Sequence, residues 1–324
     1  MALKSKGKRK TERKKTVKLT EKDFRYPNER VIYWQAIVAV MIMVVVPAIG
    51  TYLMCKSEAE ENPLHNLYQI PALILLWPII SVLVINWLAA RPRKKLLKTL
   101  GPQAKTAAAK FPQLRQAVSE YCKVLDVREP DIYVLENERP EVQMLANRTM
   151  FITTGLIAAL TDTQLRAALA HHMAHLKGGH VRMHTAITFI RAAKPWTKAA
   201  LAPAHVFAMT LGNWVDVADY SADRAAALLT GSGSDVNAMM VKLAVIGDPL
   251  SQIEPAELDE YLQETGELST DSAQVERHFK IGNFVANVHN LRERINEAGA
   301  FLKSEQGKAA MAKLAEMKRT PVTP

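Results

Sequence analysis

Three histidines lie within five positions of the segment AALAHHMAHLKGGH, residues 167–180, and a fourth follows at its end. His171 and His175 are four residues apart, so on a helix their imidazoles project from one face and can close on a single ion. A zinc site requires this geometry of its first two ligands. Spacing alone leaves open whether the pair binds a metal, and His180, which follows two glycines, fits a structural role as well as a functional one.

His172 occupies the position that glutamate holds in the zinc signature H-E-x-x-H. In that signature the glutamate takes a proton from the attacking water and so generates the nucleophile. An imidazole can accept a proton, but its ring has a different reach, and a neighbouring dication discourages its protonation. Two interpretations of His172 follow: an impaired catalytic base, or a packed core histidine beside the apolar stripe of its helix.

A third metal ligand could come from the segment WVDVADYSADRAAALL, residues 214–229. Asp216, Asp219 and Asp223 are spaced by three and four residues, which places their carboxylates on roughly one face of a helix. One of them could complete a site with the two histidines. Taken alone, the same pattern also fits a solvated acidic stripe.

The local signals predict which elements carry these residues. Thr161 and Gln164 form a capping-box pattern that starts a helix at about 162, and Gly178 with Gly179 stops it. Similar reasoning predicts a helix over 214–229 that ends at Thr230 and Gly231, a helical stretch over 103–124 interrupted at Pro112, and strands at 131–136 and 149–154.

Two apolar stretches predict a membrane hairpin. Residues 31–54 contain no charged side chain over 24 positions, enough to cross a hydrocarbon core of about 30 Å, and residues 70–90 repeat the pattern. The loop between them is acidic, whereas basic residues flank the pair on both outer sides. We therefore expect an integral membrane protein with two spans, whose N-terminus and main domain are cytoplasmic.

The basic character is concentrated in a tail. The chain carries a formal net charge of +10, and residues 1–30 hold 12 Lys and Arg against 4 Asp and Glu. Because the rest of the chain is nearly neutral, no nucleic-acid partner is expected for the folded domain. Only Cys55 and Cys122 occur, so any metal has to be held by imidazole and carboxylate.

Several ordered motifs together resemble the membrane-anchored zinc metallopeptidases typified by the heat-shock protease HtpX and the CAAX prenyl protease. They are EPDIYVLENERPEVQML at 129–145, MFITTGLIAALTDTQLRAALAHHMAHLKGGH at 150–180, DYSADRAAALLTG at 219–231 and VHNLRERI at 288–295. The resemblance implies a zinc cofactor, with His171, His175 and Asp219 as its ligands. It also implies that Asp223 orients a ligand histidine and that His289 and Arg294 lie near the substrate carbonyl or shape the cleft.

The departures from this family concern the catalytic carboxylates. His172 stands where the general-base glutamate is expected, and Asp219 is one methylene shorter than the family's ligand glutamate. Residues 181–213 are also too interrupted by Lys, Arg and Pro to form the further membrane hairpin of HtpX-like members. An ordinary helix–loop–helix is the simpler expectation there.

The sequence as a whole predicts a mostly α (α+β) chain. Its expected parts are a basic disordered tail at 1–30, two transmembrane helices at 31–90, a gluzincin-like metallopeptidase domain with a small β-sheet at 100–300, and a tail at 301–324. The preferred function is a catalytically impaired pseudopeptidase that acts as a scaffold or accessory subunit, with the bilayer and other membrane proteins as partners. The alternative is an active zinc endopeptidase in membrane protein quality control.

Overall fold

The computed structural model describes residues 18–59, the single positions 76, 80, 83 and 87, and residues 109–146, 148–191, 208–246 and 291–319. Within these ranges the chain is mostly helical, with one small sheet. The helices are α1 (Glu29–Ala59), α2 (Pro112–Leu125), α3 (Thr154–Ala159), α4 (Asp162–Gly178), α5 (Val181–Arg191), α6 (Gly212–Thr230), α7 (Gly233–Ile246), α8 (Leu291–Lys303) and α9 (Glu305–Arg319). The strands are β1 (Asp131–Leu135), β2 (Val142–Leu145) and β3 (Thr149–Thr153).

Helix α4 begins and ends where its local signals predict. The Thr161 side chain accepts a hydrogen bond from the backbone N–H of Gln164, and the Gln164 side-chain oxygen accepts one from the Thr161 backbone N–H, so the capping box is formed. Gly179 ends the helix with φ +74°, a left-handed conformation that glycine adopts without a steric cost. The predicted start and end of this helix are confirmed.

Helix α6 packs closely along α4. Both helices place fully buried alanines in the same core, among them Ala170 and Ala174 on α4 and Ala222 and Ala226 on α6. Small side chains let two helix backbones approach each other closely, because the distance between helix axes depends on the side chains at the contact. Gly231 ends α6 with φ +75°, as predicted.

The strands form a sheet in the order β1-β3-β2. Strand β3 lies at the centre, parallel to β1 with Asp131 opposite Thr149, and antiparallel to β2 with Val142 opposite Ile152. The two predicted strands are confirmed, while β2 has only four residues and lacks a clear β-branched signal. Gly155 follows β3 at a point where a Cβ would lie 1.9 Å from the Glu138 carbonyl oxygen, so only glycine fits.

The predicted helical stretch is interrupted before Pro112, since Ala109 is helical, Lys110 is in a turn, Phe111 is irregular and helix α2 begins at Pro112. Proline is well suited to the first helical position, since its missing N–H would have no partner in the helix anyway. Residues 103–108, the first part of the predicted helical stretch, lie outside the described residues. Helix α2 buries Leu114, Val118 and Leu125 in the main core.

Residues 18–29 are folded against the domain, whereas the sequence placed them in a disordered tail. Leu19 and Phe24 are fully buried in the main core, and the Asp23 carboxylate pairs with Lys313 of α9 at 2.6 Å. The two apolar residues are hidden in the sequence by the basic residues around them. Helix α9 likewise occupies most of the predicted C-terminal tail and buries Ala310 and Leu314.

Helix α1 carries the first predicted membrane span. The stretch Glu29–Met54 is long and apolar enough to cross a membrane by length and composition, and large apolar side chains such as Trp34, Met41 and Leu53 are exposed along it. Of the second predicted span, the structure describes only Leu76, Ile80, Leu83 and Trp87, each helical and exposed. The rest of that span lies outside the described residues, so the hairpin and its orientation stay predictions.

Candidate metal centre

Helices α4 and α6 bring the three predicted ligands together. The Nε2 atoms of His171 and His175 lie 3.0 Å apart, and His175 Nε2 lies 3.3 Å from Asp219 Oδ1. The three ligand atoms lie within 4.8 Å of one another. The two histidines are buried and Asp219 is half-buried. The helical spacing of four residues therefore brings the two imidazoles together on one face of α4, next to Asp219.

The donor set fits zinc. Tetrahedral ligands at about 2.0–2.1 Å from an ion lie roughly 3.3–3.4 Å from each other, close to the observed 3.0 and 3.3 Å. Two ring nitrogens whose lone pairs face each other repel, and a cation between them removes that repulsion. Asp219 reaches the site although its side chain is shorter than that of glutamate, because the alanine faces let α4 and α6 pack closely.

The ligand His171 is held by a carboxylate of α6. Its Nδ1 lies 2.8 Å from Asp223 Oδ1, so the ring donates Nδ1–H to the carboxylate and directs the Nε2 lone pair at the ligand cluster. Arg294 of α8 donates to Asp223 from Nε at 2.7 Å and from a terminal nitrogen at 2.9 Å. The same guanidinium donates to Asp219 at 3.2 Å.

The charges of Asp219, Asp223 and Arg294 shift one another's pKa values. Burial works to raise the pKa of Asp223, but Arg294 and then His171 outweigh it, so the pKa lies below its usual value. The same balance of burial and Arg294 places the pKa of Asp219 well below its usual range. Burial would lower the pKa of the Arg294 guanidinium, but Asp223 and Asp219 raise it. Both carboxylates are therefore ionised and ready to interact with a cation.

Arg294 lies behind the ligands. Its side chain is buried, and the donors described for it go to Asp219 and Asp223. These contacts are those of a residue that positions ligands rather than one that faces a substrate carbonyl. His289, the other residue predicted near the substrate, lies outside the described residues.

The ligand His175 is held through a second histidine. His175 Nδ1 lies 3.1 Å from His180 Nδ1, and His180 Nε2 lies 3.1 Å from Oε1 of Glu29, the first residue of α1. The other carboxylate oxygen of Glu29 accepts a short hydrogen bond from Ser221 of α6. Sequence reasoning left the role of His180 open and missed Glu29, since no local pattern connects residues 151 positions apart.

Glu29 and His180 also lie near Glu21 in a second group of potential ligand atoms. There the Arg25 guanidinium pairs with both glutamates, and His180 is bonded to Glu29 and His175. The Arg25 guanidinium thus already supplies the positive charge that a metal ion would bring to these carboxylates. We therefore interpret this second group as a structural network that supports the candidate metal centre.

His172 lies beside the ligands but outside their group. Its ring stands edge-on to that of His171 with 5.2 Å between centroids, and 6.2 Å separates it from the ring of His175. Burial, followed by the nearby His171, lowers the pKa of His172 to about 3. His184 of α5 packs on His175 at 4.7 Å, and burial lowers its pKa to about 4. Both rings are therefore neutral near pH 7.

The remaining predicted aspartate, Asp216, does not join the ligand group that the described residues form. Of the three aspartates that the sequence left open, Asp219 is therefore the one whose carboxylate lies in the candidate ligand group. Asp223 instead forms a hydrogen bond with His171.

Comparison with known proteins identifies one peptidase family. The model of peptidase family M48 matches residues 108–297. The chain is 29% identical to "Plastoglobule-localized metallopeptidase 48, chloroplastic" of Arabidopsis thaliana over 46% of its own length and 45% of that protein's. It is 22% identical to "Protease HtpX homolog 2" of Methanosarcina mazei over 50% of its own length and 66% of that protein's. It is 26% identical to "Protease HtpX homolog 1" of Streptomyces coelicolor over 61% of its own length and 73% of that protein's.

The first two of these alignments span about half to two thirds of the relatives' length. No solved structure matches the chain. The family model covers more than half of the 324 residues and contains the candidate ligands together with Asp223 and Arg294. The predicted resemblance to HtpX-type zinc metallopeptidases is therefore confirmed, and the chain belongs to peptidase family M48.

Proposed function

We propose that the chain is a membrane-anchored, zinc-binding member of its family whose peptide hydrolysis is impaired, and that it acts as a scaffold or accessory subunit for other membrane proteins. One observation carries this proposal. The ligands and their supports are assembled, whereas an imidazole stands at the position of the general base.

The zinc-binding part is supported by the ligands and by what holds them. His171, His175 and Asp219 would hold the ion, each supported through its remaining polar atom by a buried partner. Such partners fix the ring orientation and increase ligand basicity. When bound, zinc would supply a Lewis acid that polarises a carbonyl and acidifies water.

The impaired-hydrolysis part is supported by the proton acceptors that surround the site. The described carboxylates next to the ligands are Asp219, Asp223 and Glu29, and each is engaged by a ligand role, an arginine or a histidine. The remaining candidates are the imidazoles of His172 and His184, and imidazoles with pKa values of about 3 and about 4 hold a proton poorly near neutral pH. Proton removal from water is the step that this chain supports least.

The scaffold part is supported by the anchor and the retained fold. Helix α1 exposes an apolar surface of spanning length, which supports an attachment of the metal domain to a bilayer. A fold can be kept after its catalytic activity is lost, and a cleft that no longer cleaves polypeptide can still bind it. The partners we propose are other membrane proteins, with no role for nucleic acid.

The second candidate is an active zinc endopeptidase that degrades misfolded or membrane proteins. It is favoured by the group of three candidate ligands with their supports, together with a neutral imidazole beside the site. In this case His172 would accept the proton. Turnover should then be slow, since general-base assistance is typically worth about 10² to 10⁴ in rate.

Cleavage of an unfolded, fluorescence-quenched protein by the full chain in detergent separates the two candidates. The full chain is needed because Leu19 and Phe24 fill the core of the domain. We expect an inactive wild type and a chelator-sensitive activity in His172→Glu, with His171→Ala in the same background as the inactive control. Cleavage by the wild type that His171→Ala abolishes would contradict the proposal and establish the endopeptidase.

The scaffold role has its own test. We expect a membrane protein to co-purify in stable proportion with the intact chain from its native membrane, and to be lost when α1 is replaced by an unrelated span. A chain that purifies alone and monodisperse would contradict this role.

A further inference from the structure

We propose that Glu29 is a positioning residue for the metal ligand His175, acting through His180, so that zinc affinity depends on how the N-terminal segment 18–29 is seated. The inference rests on the proposed zinc binding and deepens it. It gives the start of the membrane helix a role inside the metal centre in addition to anchoring.

The contact between Glu29 and His180 is built into the fold. Their side chains are only 5% and 3% exposed, and their polar atoms lie 3.1 Å apart. Ser221 of α6 donates to the second oxygen of Glu29 and accepts from the backbone N–H of Tyr26 at 2.8 Å. The carboxylate is therefore fixed from both sides and aimed at His180.

The position of one hydrogen follows from this carboxylate. An ionised glutamate only accepts, so a neutral His180 that donates Nε2–H to Glu29 keeps a lone pair on its Nδ1. That lone pair lies 3.1 Å from His175 Nδ1, so His175 must donate Nδ1–H there. His175 Nε2 is then left with its lone pair facing the ligand cluster, which is the form a metal requires.

Seating of the N-terminal segment determines whether Glu29 is present in this chain of contacts. The segment is held by the buried side chains of Leu19 and Phe24 and by hydrogen bonds from Gln306 of α9 to the carbonyls of Lys22 and Arg25 at 3.0 and 3.2 Å. Displacement of the segment would remove the acceptor from His180. His175 would then populate the other tautomer, in which Nε2 carries the proton and cannot bind a metal ion.

A zinc titration of the full chain in detergent, in competition with a chromophoric chelator, tests the inference. Glu29→Met removes the acceptor, and we expect about 10- to 100-fold weaker zinc binding, the usual effect of losing such a partner. Glu29→Gln keeps an oxygen that can accept from His180, and we expect it to recover most of the affinity. The control is Glu120→Met, which removes a carboxylate that pairs with Arg166 away from this segment and from the ligands.

A merely structural role for Glu29 predicts a different result. In that case Glu29→Met would lower the unfolding temperature of the metal-free chain and leave zinc affinity at the wild-type value. Equal affinities of wild type and a folded Glu29→Met would overturn the inference, as would a Glu29→Gln variant that binds no better than Glu29→Met.

A second variant approaches the same contacts from the other end. His180→Phe keeps a ring against Trp214, whose centroid lies 5.6 Å from that of His180, but removes both nitrogens. We expect the same loss of affinity, and wild-type affinity in this variant would overturn the inference even where Glu29→Met does not fold.

His175→Ala supplies the reference for the proposed function itself. A wild type that binds zinc no more tightly than His175→Ala would overturn both proposals. A wild type that binds zinc through His175 but tolerates Glu29→Met and His180→Phe would overturn only this inference.

Discussion

The two histidines of the metal centre are supported in different ways. His171 donates directly to Asp223, which Arg294 holds with two hydrogen bonds. These three residues belong to helices α4, α6 and α8. His175 reaches its carboxylate only through His180, and that carboxylate belongs to the first residue of the apolar N-terminal helix. One support is internal to the domain, and the other is complete only when the N-terminal segment docks.

The comparison shows two ways to meet the same chemical requirement, a lone pair on Nε2. For His171 a carboxylate held by an arginine, in what we call the charged cluster, contacts the ring directly, and for His175 the ring of His180, which we call the relay, lies between it and the carboxylate. The charged cluster contributes to folding as well as to ligand orientation, because it neutralises two buried carboxylates. The relay contributes mainly orientation. Variants of the two supports should therefore differ in the ratio of stability loss to affinity loss.

The largest expected effect is on the charged cluster. Arg294→Met leaves Asp219 and Asp223 without their cation, and we expect the free energy of unfolding of the metal-free chain to fall by about 3–5 kcal/mol. Denaturant unfolding in detergent measures this loss. The control is Arg166→Met, which breaks a half-exposed pair with Glu120 and should cost about 1 kcal/mol or less. Similar losses in the two variants would contradict the importance of the cluster.

Next in size is the effect of Asp223→Asn on zinc binding. The amide presents less charge to His171 and to Arg294, and we expect zinc affinity to fall about 10- to 100-fold, together with a loss of stability. The same chelator competition measures it, with Asp162→Asn at the exposed start of α4 as the control. If Asp223→Asn weakened zinc without any loss of stability, the contrast between the two supports would disappear.

A smaller effect concerns the two neutral imidazoles that belong to neither support. The pKa values of His172 and His184 are lowered to about 3 and about 4, mainly by burial, whereas an unfolded histidine titrates near 6.5. Below pH 6.5 the unfolded chain therefore binds more protons than the folded one, and the free energy of unfolding of the metal-free protein falls as the pH decreases toward 4.

Thermal unfolding at pH 7, 6 and 5 in the presence of a chelator measures this dependence. We expect His184→Gln to reduce the slope, because one of the two groups no longer titrates in the unfolded chain. A wild-type slope in His184→Gln would show that the acid sensitivity has another origin.

The smallest effect separates two neighbouring glycines at the end of α4. A Cβ at Gly178 would lie 2.5 Å from Cε1 of His180, so Gly178→Ala must displace the relay ring and should weaken zinc binding, though less than Glu29→Met. Gly179→Ala meets nothing within 4 Å but sits at φ +74°, so we expect a stability cost of about 1–2 kcal/mol with unchanged affinity. Chelator competition and thermal unfolding of both variants measure the two effects, and the reverse pattern would contradict the role of His180.

The parts of the site that follow local rules were predictable from the sequence. The capping box at Thr161, the left-handed glycines at 179 and 231 and the four-residue spacing of the histidines define α4, α6 and two ligands. Asp219 needed the family resemblance to be chosen over Asp216. The roles expected for the residues around the ion stay predictions until zinc binding is measured.

The rest depends on contacts between distant parts of the chain. Glu29 lies 151 residues before His180, and Arg294 lies 71 residues after Asp223, so no window of sequence contains either pair. Leu19 and Phe24 were hidden for a similar reason: two isolated apolar residues in a basic stretch carry no periodicity. Strand β2 is too short to show an alternating pattern clearly.

The alanine faces between α4 and α6 tie the identity of residue 219 to the separation of two helices. With Ala170, Ala174, Ala222 and Ala226 fully buried, the backbones are close enough for an aspartate to reach the histidine pair. A glutamate at 219 would bring an extra methylene into that gap, and larger residues at the alanine positions would carry the aspartate out of reach. Ligand length and helix spacing are therefore coupled in this chain, and a longer residue at 219 or larger residues at the four alanine positions, introduced alone, would disturb the site.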